Sequence, residues 1–396
     1  MDKTVVNKKE RTLEDIKGIL SLAKLNIDDL KPTSQALYFT PENLHEHDYK
    51  LLQLDPYLLQ EITEGSKLCF KGEQHEEVVI CSDTRTFHVV EAETSNSLLL
   101  TTGLKFCKDL DDSKSNIQKV TVRAIFYDYL EATVGKPNLK KIDDLLKKSL
   151  YCGPENEYKI NKGNLITRQQ LCENVQASHK EINNALESMT VIEIDNKIRL
   201  LDIEYHFRVL SYMLKLIDEN SWELDEVDFK ETVDSLQNLA PKEVLSNLFD
   251  KYAEESKEID GIPLYRYKED VVCKFFAQVL LHDTGKFNLD EFLQAWKESV
   301  PEGMVPDEEM LYGIAIIDRK SVPNVIWAFD ENNLPENINE RFKILFEAKT
   351  KWTIPEISPY IKRLATDKLD VNALLAKYAR ASKVDGVKFY SSKHGK

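Results

Sequence analysis

The chain has 396 residues, 42% of them apolar and 31% charged, enough for two or three cores under a well-solvated surface. No apolar run approaches the ~18 residues of a membrane helix, and Met1-Asp2-Lys3-Thr4 leads into charged residues, so neither a spanning nor a secreted protein is expected. Net charge is −15, yet residues 341–396 hold 13 Lys and Arg against 5 Asp and Glu, leaving 40 against 63 before them. An acidic body with a basic end can meet a polyanion at that end.

In chain order, Leu13, Ile16, Leu20 and Ala23 fall at helical spacing over residues 12–25. The period then shortens. Apolar stretches at 36–39, 51–54, 68–70, 78–81, 87–92, 98–101 and 120–127 alternate with short polar turns, which predicts a small sandwich or barrel of seven strands. Leu98-Leu99-Leu100 is apolar on both faces, and strands that do not close leave edges to be covered. A partner chain completing the sheet and a self-contained barrel both satisfy this pattern.

After Lys136-Pro137 the pattern is mainly helical, and one design recurs. A first helix is expected at 139–150. Thr167 and Gln170 make a capping box with Ile166 and Leu171 as staple, and Ser178 and Glu181 make a second, with Ala177 packing towards Ile182. Ile182, Ala185, Leu186 and Met189 give that helix one buried face. Ile192/Ile194 and Ile198/Leu200 then alternate across an Asp195-Asn196 turn. Three helices and a β-hairpin are the order of a winged helix. Helices at 206–217, 228–236 and 241–254 and a strand at 262–267 follow. Next comes a cap at Asn288 over Phe292, Trp296 and Val300, a short helix at 307–312, and strands at 314–317 and 325–329. The box returns at Thr353-Ile354-Pro355-Glu356 between Trp352 and Ile357. Asp370 caps a helix burying Val371, Leu374, Leu375 and Tyr378, and Gly386 with 387–390 closes a last wing.

The expected class is α+β, a small β-barrel-like domain followed by tandem winged helices. The divisions are 1–33 (helix and linker), 34–133 (barrel-like docking domain), 134–203 (first winged helix), 204–330 (second, compound, one or two units) and 331–396 (third, basic). The count is three winged helices, or four if the compound stretch divides.

No chemistry-bearing motif is present. There is no phosphate-cradling G-x-x-x-x-G-K-[ST], no G-x-S-x-G elbow, and neither His45-Glu46-His47 nor His75-Glu76-Glu77 has the spacing of a zinc pair. The six cysteines are scattered with no C-x-x-C, which predicts reduced thiols in the cytosol or nucleus, with neither metal nor cofactor. The chain reads as a non-enzyme. Its informative constellation is in the last winged helix. With the apolar face inward, Lys377, Arg380 and Lys383 project from the other side of the helix, beside the small residues Ala373 and Ala376. Lys388 and Lys393 on or past the wing, and Lys362 and Arg363 before it, extend the patch. Cations there meet phosphates, and no Arg/Asn set is placed to read bases, so DNA contact should be sequence-independent. Asp307-Glu308-Glu309 in the middle unit would repel DNA.

Long strings resemble one family. They are 286–304 (Lys286-Phe287-Asn288-Leu289-Asp290-Glu291-Phe292 through Trp296 to Met304), 91–100, 334–360 with Glu340-Arg341-Phe342, and 374–390. The family is the defective-in-sister-chromatid-cohesion (Dcc) subunit of the alternative, cohesion-type replication factor C clamp loader. The resemblance implies no ATPase of its own. It implies a β-barrel shared with the large and small chromosome-transmission-fidelity subunits, with the small replication factor C subunits reached indirectly. It further implies C-terminal winged helices that bind DNA and the catalytic subunit of polymerase epsilon. Such a module would act in the nucleus on the sliding clamp, proliferating cell nuclear antigen (PCNA), at replication forks, in support of sister chromatid cohesion. Lys377, Arg380 and Lys388 lie in the matching strings, whereas Lys383 and Lys393 rest on spacing alone. A winged-helix transcription regulator would share the basic last unit but add selective readout, and a scaffold protein would share the acidic body and leave the basic end unused.

Overall fold

The structure, a computed structural model, describes residues 12–26, 34–39, 49–105, 117–259, 261–365, 369–384 and 386–393. The chain folds as two compact units, residues 1–139 with 172–183, and residues 140–171 with 184–396. Both mix helices with sheets.

In the first unit, α1 (Leu13–Leu22) starts at a capping box between Thr12 and Asp15 and buries none of its residues. Of the expected segment 1–33, residues 1–11 and 27–33 lie outside the described residues. There follow β1 (Gln35–Tyr38), β2 (Leu52–Gln53), α2 (Pro56–Thr63), β3 (Cys69–Lys71), β4 (Val79–Cys81), β5 (Thr86–Thr102) and β6 (Gln118–Val134). Asp55 caps α2, Pro56 pre-sets its first turn, and Leu58 points fully into a core with Ile80, Phe87 and Ala132. The sheet order is β1-β6-β5-β4-β3, with β2 beside β6. Among the described residues this sheet is open, and the expected barrel-like closure is not seen. The two stretches expected at 87–92 and 98–101 form one strand. Its polar middle at 93–97 is a register irregularity against β6 rather than a turn, and the Thr94 hydroxyl donates to the carbonyls of Asn96 and Tyr127. Gly135 follows β6 where a Cβ would stand 2.1 Å from the His88 ring, so the close approach requires glycine.

Residues 172–183 complete this unit. The Lys71 ammonium donates to the carbonyls of Cys172 (2.6 Å), Val175 (3.2 Å) and Ala177 (2.7 Å). The Gln176 amide donates to the Glu77 carbonyl (2.5 Å), and the Ser178 amide donates to Thr86 Oγ1, which itself donates to Glu181. A buried turn thereby has its backbone groups matched by the sheet.

From Lys140 onward the chain repeats one plan four times, within the second unit except for residues 172–183 of the first copy. The first copy has α3 (Lys140–Leu146, continued as a 3₁₀ turn), α4 (Arg168–Asn174), α5 (His179–Ser188), β7 (Val191–Ile194) and β8 (Lys197–Leu200). The second has α6 (Ile203–Glu219), α7 (Phe229–Leu236), α8 (Lys242–Tyr252), β9 (Ala253–Ile259) and β10 (Ile262–Tyr267). The third has α9 (Glu269–Leu281), β11 (Phe287–Asn288), α10 (Leu289–Ser299), a 3₁₀ turn at Glu308–Leu311, β12 (Ala315–Asp318) and β13 (Val325–Ala328). The fourth has α11 (Ile338–Ala348), α12 (Ile354–Lys362), α13 (Val371–Tyr378), β14 (Ala379–Val384) and β15 (Val387–Ser392). Each hairpin gains a short third strand from the residue before the second helix: Ile166 on Ile198, Val227 on Tyr265, Phe287 on Ile326 and Trp352 on Tyr390. A helix cap comes next each time, at Thr167, Asp228, Asn288 and Thr353, and a Glu or Gln stands three residues on. The stretch expected as one compound unit thus holds two copies. The helix expected to run to 254 stops at Tyr252, because β9 begins there. The Asp195-Asn196 turn has positive φ at both residues, as a tight two-residue hairpin demands.

Copies two and three share one large core around Phe292, Trp296 and Tyr252, and the fourth packs its own around Trp352, Tyr360 and Phe342.

Candidate functional site

The basic residues belong to the fourth copy. Asp370 caps α13 by accepting from the Ala373 amide (2.7 Å), and Leu374 and Leu375 anchor the helix in the core while Tyr378 stacks on Phe342. The capping box upstream holds α12. The amide and hydroxyl of Thr353 donate to Glu356, Lys349 pairs with the same carboxylate (2.7 Å), and these bonds outweigh burial to keep Glu356 below the ordinary carboxylate range. Arg341 is fully buried and donates to the carbonyls of Leu334, Pro335 and Tyr360, fixing α11 against the end of α12.

On this frame the expected patch is redistributed. Lys377 is exposed on the last turn of α13, as read from the sequence. Arg380 and Lys383 are not on that helix. It ends at Tyr378, and both stand on β14, since Ala379 turns directly into extended backbone. In the hairpin Lys383 faces Lys388 directly, and Arg380 faces Ser391. Side chains alternate along a strand, so Arg380 lies on one face of the hairpin and the Lys383/Lys388 pair on the other. Lys393 donates to the carbonyls of Ala376 (2.9 Å) and Lys377 (2.6 Å), where it caps α13 instead of standing free. Arg363 pairs with Glu336 (3.2 Å), whereas Lys362 is exposed at the end of α12. Among the described residues no ion pair engages Lys362, Lys377, Arg380, Lys383 or Lys388. Two like charges directly opposed on a hairpin destabilise it in isolation, and an anion between them reverses the sign. Sequence reasoning missed Lys320, whose ammonium reaches the Thr350 hydroxyl (3.3 Å) from the β12–β13 loop and adds a cation near Lys351.

The second copy shows the contrast. Lys251-Tyr252-Ala253-Glu254-Glu255-Ser256-Lys257 corresponds to Lys377-Tyr378-Ala379-Arg380-Ala381-Ser382-Lys383, and each hairpin has a glycine with positive φ between its strands, Gly261 and Gly386. Measured from that turn, Glu258 stands where Lys383 stands, and Glu254 stands where Arg380 stands; one bulged residue separates the two registers. Lys251, the counterpart of Lys377, is turned onto the Thr190 hydroxyl, and Asn247 donates to the Val191 carbonyl (3.0 Å). The same scaffold is acidic and covered here, basic and open in the fourth copy.

A second surface lies on the first unit. Past Val79↔His88, β4 ends, and β5 from Val89 to Thr102 pairs with β6 alone among the described residues. Leu98, Leu99 and Leu100 on this edge are 45%, 39% and 36% exposed. Unpaired backbone flanked by apolar side chains is a template for an added strand.

Comparison with known proteins assigns the chain. The family model for sister chromatid cohesion protein Dcc1 matches residues 49–361, ending just before Lys362. A protein named sister chromatid cohesion protein DCC1 from Danio rerio is 35% identical over 386 residues, covering 97% of this chain and 98% of its own length. Its namesake from Homo sapiens is 34% identical over 389 residues, with 97% and 99% covered, and that from Saccharomyces cerevisiae is 23% identical over 380 residues. The chain belongs to the Dcc1 family of sister chromatid cohesion proteins.

Proposed function

We propose that this chain is a non-catalytic nuclear subunit of the alternative, cohesion-type replication factor C clamp loader. In this reading the open sheet of the first unit takes strands from the large and small chromosome-transmission-fidelity subunits, which close it into a shared barrel. The four repeated units are winged helices. The fourth contacts DNA without sequence preference and the catalytic subunit of polymerase epsilon, so that the assembly acts on PCNA at replication forks. The observation that carries the reading is the apolar edge of β5 at Leu98–Leu100, unpaired among the described residues, on a chain of this family.

Replacing Leu98 and Leu100 with Asp in the full chain should abolish co-purification of the clamp-loader subunits from nuclear extract while leaving the circular dichroism spectrum unchanged. Retention of those subunits by the folded variant would overturn the docking half. For the DNA half, three neutralised phosphates give a slope of log K against log salt of roughly −2.7. Lys377→Glu with Lys383→Glu and Lys388→Glu should flatten it, and an unaltered affinity would remove DNA from the reading.

A further inference from the structure

We infer that Cys69 and Cys81 are a cross-strand dithiol that a hydroperoxide oxidises to a disulfide, which makes the β3–β4 ladder a redox modification site. The two cysteines are directly opposed in antiparallel register. Opposed residues point to the same face of the sheet, with Cα atoms roughly 4.5–5.5 Å apart, inside the ~4.4–6.8 Å that a disulfide spans. Thr86 is next in the row, opposite Cys81, with its hydroxyl 3.7 Å from the Cys81 sulfur. Among the described residues no other cysteine faces a second one across a ladder, and Cys107 lies outside them.

The pair is asymmetric in the way a two-step oxidation needs. Cys69 is exposed and Cys81 is buried. Burial pushes the Cys81 thiol up, partly offset by Thr86 and Lys71, so the encounter with oxidant falls to Cys69. In the first step Cys69 sulfur attacks the peroxide, the O–O bond breaks, and a sulfenic acid and one water form. In the second, Cys81 sulfur attacks the sulfenic sulfur, the S–O bond breaks, and its hydroxyl leaves as water with the Cys81 proton. Two thiols lose two electrons and two protons, and one hydrogen peroxide becomes two waters. β3 is an edge strand held by three residue pairs, so it yields locally to bring the sulfurs together. The disulfide ties that edge covalently to β4.

The test treats the reduced full chain, at dilution, with one equivalent of hydrogen peroxide, then alkylates and maps peptides without reduction. The expected result is a Cys69–Cys81 link, two of the six cysteines lost to alkylation, and full recovery with dithiothreitol. Cys69→Ser should leave Cys81 alkylatable. Cys81→Ser, with Cys81→Ala as a companion in case the buried hydroxyl unfolds the sheet, should leave a Cys69 sulfenic acid that dimedone captures. Oxidation of wild-type Cys69 to sulfenic or sulfinic acid beside an alkylatable Cys81, or links that form only between chains, would overturn the proposal.

Discussion

Lys71 shows how one side chain can organise a distant segment. Its ammonium answers three carbonyls about a hundred residues away, one in the last turn of α4 and two in the turn that follows it. Lys71→Met should therefore cost on the order of 2 kcal/mol in urea unfolding, since charge-assisted bonds vanish and the carbonyls stay enclosed. A loss under ~0.5 kcal/mol would mean that water already serves them. Two other residues set a pH dependence. Burial brings Lys251 down to about 8 from 10.5, and holds His206, stacked 4.0 Å from Phe275, neutral well below its ordinary range. In both cases the unfolded chain binds more protons, so stability rises with pH. For Lys251 the penalty is complete below about 8 and is relieved towards 10.5; for His206 stability is lost as pH falls below 6.5. Each contributes at most about 1.4 kcal/mol per pH unit. Lys251→Met should raise the melting temperature more at pH 7 than at pH 10, and an equal rise at both would show that the lysine titrates no lower in the fold than in the unfolded chain.

The element scale separates what the sequence reveals from what it hides. The boxes at Thr167-Gln170 and Thr353-Glu356 and the Asp195-Asn196 turn are legible because each is complete within six residues of chain. β9 was not legible. Glu254-Glu255-Ser256-Lys257-Glu258 has no apolar alternation, because the hairpin is solvated on both faces and its strand character comes from pairing with β10. The placement of Arg380 and Lys383 failed for a related reason. Nothing local in Tyr378-Ala379-Arg380 marks a helix end, and Tyr390, paired to Trp352, sets where β14 must start. The open sheet was half legible, since Leu98-Leu99-Leu100 announced an exposed edge but polar 93–97 disguised one long strand as two. The charge inversion between the second and fourth hairpins gives a direct test. Glu254→Arg with Glu258→Lys should tighten DNA binding and steepen the salt slope by roughly 1.8. No change would remove the hairpin from the proposed DNA contact.

At the scale of the whole molecule, the acidic body and the basic end of the sequence do not coincide with the two compact units. The second unit contains both the acidic hairpin and the basic one, so the polarity of charge runs along its repeats. The first unit is built from two separated lengths of chain, leaving at 139 and returning for 172–183. Its topology therefore governs how the protein can be cut. A fragment ending at 139 lacks the turn that fills Lys71 and Thr86, and one starting at 140 carries Val175, Ala177 and Ser178, all fully buried in the intact chain, without the groups that enclose them. Fragments 1–139 and 140–396 should each aggregate when expressed alone and yield a soluble pair when co-expressed, as split reporters do. A monodisperse 140–396 fragment with the full chain's melting temperature would contradict this. A nick near 139 should likewise release nothing until denaturant is added, because the two pieces remain interlocked through the returning segment.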